Sequence, residues 1–363
     1  MTVDPGRVDE LRSKFGGSIL KSRRVELAAL DDEHEAMFER GWTDGLPVVP
    51  PTELRVTTML EGTTRNSDEL VALVPPNLSE CTVEKVAINS VMAGCRPEYL
   101  PVVMTAVEAV CTEGFNMHGV LATTMSVGPI LVVNGPVASR IGMNTGINVL
   151  GHGNRANSSI GRAVQMVIRN VGGGKPGGID RATLGHMGKQ GFCFAENEAK
   201  SLWVSLSQER GFSAEVSTVT AFCGEGPRLV VDQLSRSLES LTRTLGKAVL
   251  DAMSSRRGMS MDAMLVISPE HISRYQDAGW NRERFKEVIM VHIRLEADGI
   301  GIGKSGMEKR PSLPSDGIRQ TRFELGELLV VHAGGPAGLF SAVISGWVNG
   351  PSGSEPVTRE ITP

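Results

Sequence analysis

Between Asn116 and Glu198 the chain concentrates side chains able to move protons or hold charge. They are His118, His152 and His186, Asn144, Asn148, Asn154 and Asn157, Arg155 and Lys189, Cys193 and Glu196, all set among glycines. Polar and titratable groups on loops held by regular elements are what a catalytic pocket needs. Imidazole titrates near neutrality, so His118 (beside Met117 and Gly119) and His186 (between Gly185 and Met187) are read as general acid or base. Lys189 or a glycine-loop amide would stabilise developing negative charge. Cys193 lies in the alternating run Gly191-Phe192-Cys193-Phe194-Ala195-Glu196, where Lys189 or a protonated His186 would favour a nucleophilic or redox thiolate. The tight loop Gly151-His152-Gly153-Asn154-Arg155 precedes a helix expected to begin at Ser158 or Ser159, so an anion could sit at that N-terminus with Arg155 gripping a carboxylate. Asn144, Asn148, His152, Asn154, Arg155, Lys189 and Glu196 are accordingly read as substrate-binding, and His118, His186 and Cys193 as catalytic.

Each of these has a plainer reading. A lone histidine is more often a structural hydrogen-bonding group, and a free cysteine between phenylalanines is usually a small buried hydrophobe. The loop glycines would then shape a turn, and Arg155 would be a solvated or ion-paired surface group. Metal ligation has weaker support, because no His-x-x-x-His, His-Glu-x-x-His or paired-cysteine spacing occurs. A site built from His118, His152, His186 and Glu196 would depend on the fold to assemble it. Gly334-Gly335-Pro336-Ala337-Gly338 is neither a Gly-x-Gly-x-x-Gly nor a Walker sequence, so it reads first as a strand-to-helix turn and no nucleotide is implied. The sequence names no cofactor.

The elements that must carry these groups point to an α/β architecture, a mixed or parallel sheet with helices packed on it and glycine-rich loops after the strands. Thr82 can cap a helix through Val83, Val86, Ala87 and Val91 that stops at Gly94, and Pro97 opens a second helix running towards Gly114. Pro129–Val133 and Leu328–Val331 are β-rich runs that end in similar glycine-proline loops, a short internal echo. Ser159–Asn170 reads as a helix, and Asp262–Pro269 as a strand, turn and helix. At about 150 residues per domain, 363 residues allow roughly two domains. The expected division is an N-terminal helical arm (1–40), a main α/β domain with the site (41–250), a smaller α/β unit (251–308), a linker (309–320), and a C-terminal strand and helix with a tail (321–363).

Composition bounds the partners. The 37 Lys and Arg against 41 Asp and Glu leave a net charge of −4, without the basic field that nucleic acid requires. No apolar run reaches the roughly 18 residues of a membrane span, and Met1–Leu20 has no secretory core. The five cysteines are odd in number and widely spaced, which fits a reducing, cytoplasmic setting.

The segment Gly41-Trp42-Thr43-Asp44-Gly45-Leu46-Pro47-Val48-Val49-Pro50-Pro51-Thr52 resembles the opening of a poorly characterised bacterial family found beside, or fused to, a small domain with a UGSC or CGSC motif. Ala278-Gly279-Trp280-Asn281, Gly334–Phe340 and Ser354–Thr358 are also similar to it. The Cys-Gly-Ser-Cys motif itself is missing, since Cys223-Gly224 continues as Glu225-Gly226. The resemblance therefore implies the larger subunit of a hetero-oligomeric enzyme whose small partner brings the reactive thiol or selenol. It transfers neither a substrate nor catalytic residues. The expectation is a large subunit acting on an anionic or carbonyl-containing substrate by thiol-linked redox or bond-cleaving, lyase-like chemistry. The alternatives are a metal-dependent hydrolase or lyase and a non-catalytic binding or scaffold subunit.

Overall fold

The computed structural model describes residues 20–28, 31–253, 260–299, 324–350 and 352–363. Of the expected arm, it describes the segment from Leu20 to Ala28 and helix α1 (Glu33–Glu39), whose free amides at His34 and Glu35 are capped by the Asp32 carboxylate. The expected linker at 309–320 lies outside the described residues. After α2 (Glu53–Leu60), a hairpin of β1 (Leu70–Val74) and β2 (Ser79–Thr82) leads into α3 (Val83–Ala93) and α4 (Leu100–Val110). The capping pattern seen in the sequence is realised at α3. The Thr82 hydroxyl accepts from the Lys85 amide, and Gly94 takes the left-handed conformation, φ 86°, that ends the helix. Pro97 opens a single 3₁₀ turn that runs into α4, which ends before Gly114 with Cys111 as its cap.

From α4 onward the chain lays down the same order of elements twice, apart from two short helices that only the first series has. The first series is α4, a short α5 (Met117–Ala122), β3 (Gly128–Asn134), α6 (Pro136–Arg140), α7 (Arg155–Asn170), β4 (Cys193–Ala195), a short α8 (Leu206–Glu209), β5 (Thr218–Gly224) and β6 (Arg228–Val231). The second is α9 (Leu238–Met253), β7 (Ser260–Ile267), α10 (Pro269–Asp277), α11 (Arg282–Gly299), β8 (Glu324–His332), β9 (Phe340–Val348) and β10 (Val357–Glu360). In each, the first strand pairs in parallel with the second and antiparallel with the third: β3 with β4 and β5, β7 with β8 and β9. The last strands are exchanged, β10 lying on β5 and β6 on β9. α4 packs on β5 and β10, as α9 does on β9 and β6. The counterpart of β3 is thus β7, each followed by a proline-opened helix, whereas the sequence echo had matched β3 with β8.

The fold is the expected mixed α/β class, with one sheet in the order β4-β3-β5-β9-β7-β8. The sheet curls so that its ends meet, for Asn197, just beyond β4, donates its amide to the carbonyl of His332 on β8 at 2.7 Å. Alternation along the strands separates two environments. Ile130, Val132, Phe194, Phe222, Met264, Val266, Leu329, Val331, Ala342 and Ile344 form one buried cluster fed by all six strands, the interior of the barrel. Residues of opposite parity, such as Leu131, Val133, Cys193 and Val219, pack against the helices of the first series, and Ala263, Leu265, Val330 and Val343 against those of the second. Gly346, on the seam where β9 meets Gly224 of β5, has no room for a side chain: a Cβ there would lie 2.5 Å from the Asp262 carbonyl oxygen.

Two expected boundaries do not hold. Position 250 falls within α9, and the segment after 324 forms three strands with no helix among its described residues. Gly334–Gly338 turns β8 back into antiparallel β9, whose Phe340–Val348 is β-branched and aromatic enough to extend rather than coil.

The two series are joined by a buried ion pair. Glu196 and Arg282, with side chains 0% and 2% exposed, meet at 2.5 Å. The second Glu196 oxygen accepts from Asn134 Nδ2 and from the Leu206 amide, each at 2.7 Å, and Arg282 also donates to the Val330 carbonyl at 2.7 Å and to Glu209 at 3.2 Å. Stranding one partner of such a pair costs about 3–5 kcal/mol. Arg282→Met is therefore expected to lower unfolding stability in urea by about that amount. Adding Glu196→Gln, which removes the stranded charge and keeps an acceptor for the Leu206 amide, recovers part of it; a single variant as stable as the parent protein would refute this role.

Candidate functional site

The residues singled out in the sequence divide between the two ends of the barrel. Asn144–Arg155 follow β3, whereas His186 and Lys189 precede β4, which runs parallel to β3. Seven residues of strand, about 20 Å at roughly 3.3 Å per residue, lie between.

At the first end the asparagines build the loop. Asn144 accepts from the Gly146 amide and donates to the Ile147 carbonyl, Asn148 donates to the His152 carbonyl with φ 59°, and Asn154 caps α7 through the Asn157 amide while donating to the Gly142 carbonyl. Asn157 bonds the Asn144 backbone in both directions. Arg155 is spent on the carbonyls that end α3, at Gly94 (2.9 Å) and Cys95 (3.5 Å), and the His152 side chain is exposed. Glu196 belongs to the buried pair with Arg282.

At the other end is a cavity of about 600 Å³, within the range of small-molecule sites. One wall is α7, which the segment from Trp42 to Pro47 clamps in place. Asp44 takes a two-pronged bond from Arg162 (2.7 and 2.8 Å), Arg162 also donates to the Pro47 carbonyl at 3.0 Å, and Asn170 donates to the Trp42 carbonyl at 3.0 Å. Burial works to raise the Asp44 carboxyl, but Arg162's bonds and charge outweigh it and hold the carboxyl below its ordinary range. The helix lies against the 191–193 backbone because residue 161 is glycine; a Cβ there would sit 2.7 Å from the Phe192 nitrogen. Gln165 and Arg169, four residues apart and hence on one helix face, point into the cavity. Gln165 Nε2 and Arg169 Nε are both buried with no hydrogen-bond partner among the described residues.

The opposite wall carries Lys189, ion-paired with Asp180 at 2.8 Å, and His186. His186 Nδ1 accepts the Gly188 amide at 3.1 Å, which puts the proton of the neutral ring on Nε2, a buried nitrogen with no hydrogen-bond partner among the described residues. Burial, and then the charge of Lys189, push its pKa down. In this geometry His186 caps the 3₁₀ turn at Met187–Gln190, and its unprotonated nitrogen is already used. Met117, Val120 and Leu121 of α5, with Val127 and Pro129, form an apolar side, while Leu184 and Met187, 90% and 78% exposed, stand at the rim. His118, on the same short α5, is exposed and does not line this cavity.

Thus of the residues picked from the sequence, only His186 and Lys189 line this cavity. Gln165, Arg169, Asp44 and Asp180 were missed, although a glutamine and an arginine one turn apart among the apolar Ala163, Val164, Met166, Val167 and Ile168 were a visible signal. A second cavity, about 680 Å³, lies under Leu20–Leu27, and its buried Glu84 is already bound by the Lys21 and Ser22 amides. Among the described residues no three His, Cys, Asp or Glu gather as metal ligands, and no helix is long and apolar enough to cross a membrane.

Cys193 faces away from the barrel interior into the helical layer, fully shielded. All five cysteines are free, and burial pushes every thiol up: Cys81, Cys95 and Cys111 to about 12, Cys193 and Cys223 also upward. No protein-family model, curated protein or solved structure matches the chain.

Two outcomes follow from these environments. A rise from 9.0 to about 12 lowers the thiolate fraction at pH 8 about a thousandfold. Iodoacetamide should therefore leave the native protein's cysteines unmodified over the time in which it alkylates all five in denaturant; rapid native labelling of any one would contradict their burial. His186, His271 and His332 are each lowered, first by burial. The unfolded chain then binds more protons, so stability is complete above the ordinary histidine value near 6.5 and falls as pH drops below it. The urea midpoint should be lower at pH 5.5 than at pH 7.5, and an unchanged midpoint would show that these rings do not resist protonation.

Proposed function

We propose that this chain is the substrate-holding large subunit of a small-molecule enzyme that acts on an anionic substrate, the reactive thiol or selenol residing on a small Cys-Gly-Ser-Cys-type partner. The observation that carries the reading is the charge balance of the cavity. Among the described residues Asp44 is matched by Arg162 and Asp180 by Lys189, while Arg169 makes no ion pair and its Nε is buried without a hydrogen-bond acceptor. A guanidinium held half-buried without a partner is costly unless an anion completes it.

The division of labour follows from the cysteines. Thiol-linked redox or bond cleavage needs a thiolate, and burial keeps the thiols of this chain protonated. In this reading Arg169 and Gln165 bind and orient the substrate, and Lys189, tethered by Asp180, stands ready to offset negative charge that develops opposite them. The apolar side, formed by α5, Val127 and Pro129, excludes water. The partner approaches by the open rim at Leu184 and Met187.

The test combines binding and assembly. The melting temperature of the parent protein should rise with at least one of acetate, benzoate, sulfate and phosphate, and Arg169→Gln should abolish that rise. Native mass spectrometry of the chain co-expressed with a Cys-Gly-Ser-Cys-type protein should show a stoichiometric complex. Indifference of the parent protein to every anion would remove the proposed site, and a homo-oligomer that never takes up the partner would remove the split-enzyme arrangement.

A further inference from the structure

The cavity's donors, charge and walls specify the anion more closely, and the following rests on the reading of this cavity as an anion site. We infer that it takes a monocarboxylate with an apolar body, its two oxygens seated on Gln165 and Arg169. Both residues project from one face of α7, and the orphaned atoms, Gln165 Nε2 and Arg169 Nε, are donors. A carboxylate offers two acceptor oxygens to two adjacent donors, one neutral and one charged.

The charge count selects a monoanion. With Asp44 and Asp180 neutralised by their own cations and His186 held neutral, one positive charge, that of Arg169, remains. A dianion such as a phosphate monoester would leave a negative charge uncompensated inside a half-buried site, where an unpaired charge is costly. The other lysine or arginine that lines the cavity, Lys189, is already closed on Asp180 at 2.8 Å, with side chains only 16% and 10% exposed.

The walls select the remainder of the ligand. Met117, Val120 and Leu121 present the buried face of α5, and Val127 and Pro129 continue it along the start of β3. These side chains offer no hydrogen bonds, so an aliphatic or aryl group gains by burial against them whereas a polyhydroxylated body would lose its solvation. At about 600 Å³ the cavity has room for a body well beyond acetate. Gln165 and Arg169 would thus act as specificity residues, one reading the second oxygen and the other the charge.

Isothermal titration of the full chain with acetate, hexanoate, benzoate, hexanamide, succinate and inorganic phosphate tests this. Hexanoate and benzoate should bind at least tenfold more tightly than acetate, hexanamide, succinate or phosphate. Gln165→Leu should weaken hexanoate several-fold and Arg169→Gln at least tenfold, with circular dichroism of both variants matching the parent protein. Tight binding of phosphate or succinate with none of hexanoate would overturn the monocarboxylate assignment while leaving an anion site in place. Binding of hexanamide equal to hexanoate would show that charge is not read, and absence of binding by any anion would overturn both. Because the ligand panel is read on the parent protein, misfolding of a variant does not protect the inference.

Discussion

Glu196 and Arg282 make the contact on which the barrel depends. Glu196 directly follows β4, the edge strand of the first series, and Arg282 begins α11 in the second. Their pairing sits where the curled sheet meets itself, beside the Asn197–His332 backbone bond. Around this one carboxylate converge an amide from β3, a backbone N–H from α8 and a guanidinium that also holds the β8 backbone. A buried carboxylate tolerates its desolvation only when its oxygens are filled in this way. The geometry of four elements is thereby set by one group, and this explains why a strand of only three residues, β4, can close a barrel.

Once closed, the barrel has two ends with different chemistry. At the end near Glu196 the asparagines of the 144–157 loop bond to one another and to the backbone, and the orphaned atoms, Asn134 Oδ1, Arg282 Nε and His332 Nε2, belong to residues of the buried network around Glu196. At the far end three nitrogens, Gln165 Nε2, Arg169 Nε and His186 Nε2, stay unmatched among the described residues, and a cavity opens between α7, α5 and the turn that leads into β4. The asymmetry arises in the connections. In the first series the chain from Gly172 to Gly191 folds back over the start of β3, tied by the Lys189–Asp180 pair and by the bond from the Arg181 amide to the Leu121 carbonyl. The opening segment from Trp42 to Pro47 then locks α7 over that loop. The motif that carried the family resemblance thus has a mechanical role: Asp44 orients the helix that bears Gln165 and Arg169.

The cysteines show how packing overrides residue type. Cys193 lies four residues after Lys189 in the sequence, yet the alternation of β4 turns its sulfur into the helical layer. Strand parity decides whether a side chain meets ligand or core, and for Cys193 it chose core. The same rule sends Phe192 and Phe194 into the barrel.

The sequence by itself determined the local elements. The α/β class, the capped α3 with Gly94 at its end, the proline-opened turn before α4, the β3 run and the helix ending at Asn170 were legible because hydrophobic period, caps and breakers act within a few residues. The reversal from β8 to β9 was not, since Gly334–Gly338 serves equally to enter a helix or to reverse a strand, and β9 is chosen by its neighbours β7 and β6. Nor was the site. His118, His152 and His186 share a glycine-rich neighbourhood in the chain, yet the length of β3 and the parallel run of β4 carry them to different faces. Gln165 and Arg169 looked like ordinary polar positions of a helix until the Asp44 clamp fixed which face met the cavity. Tertiary structure alone decided these matters, because pairing partners, strand direction and charge balance depend on residues more than a hundred positions apart, as Asp44 and Arg162 are.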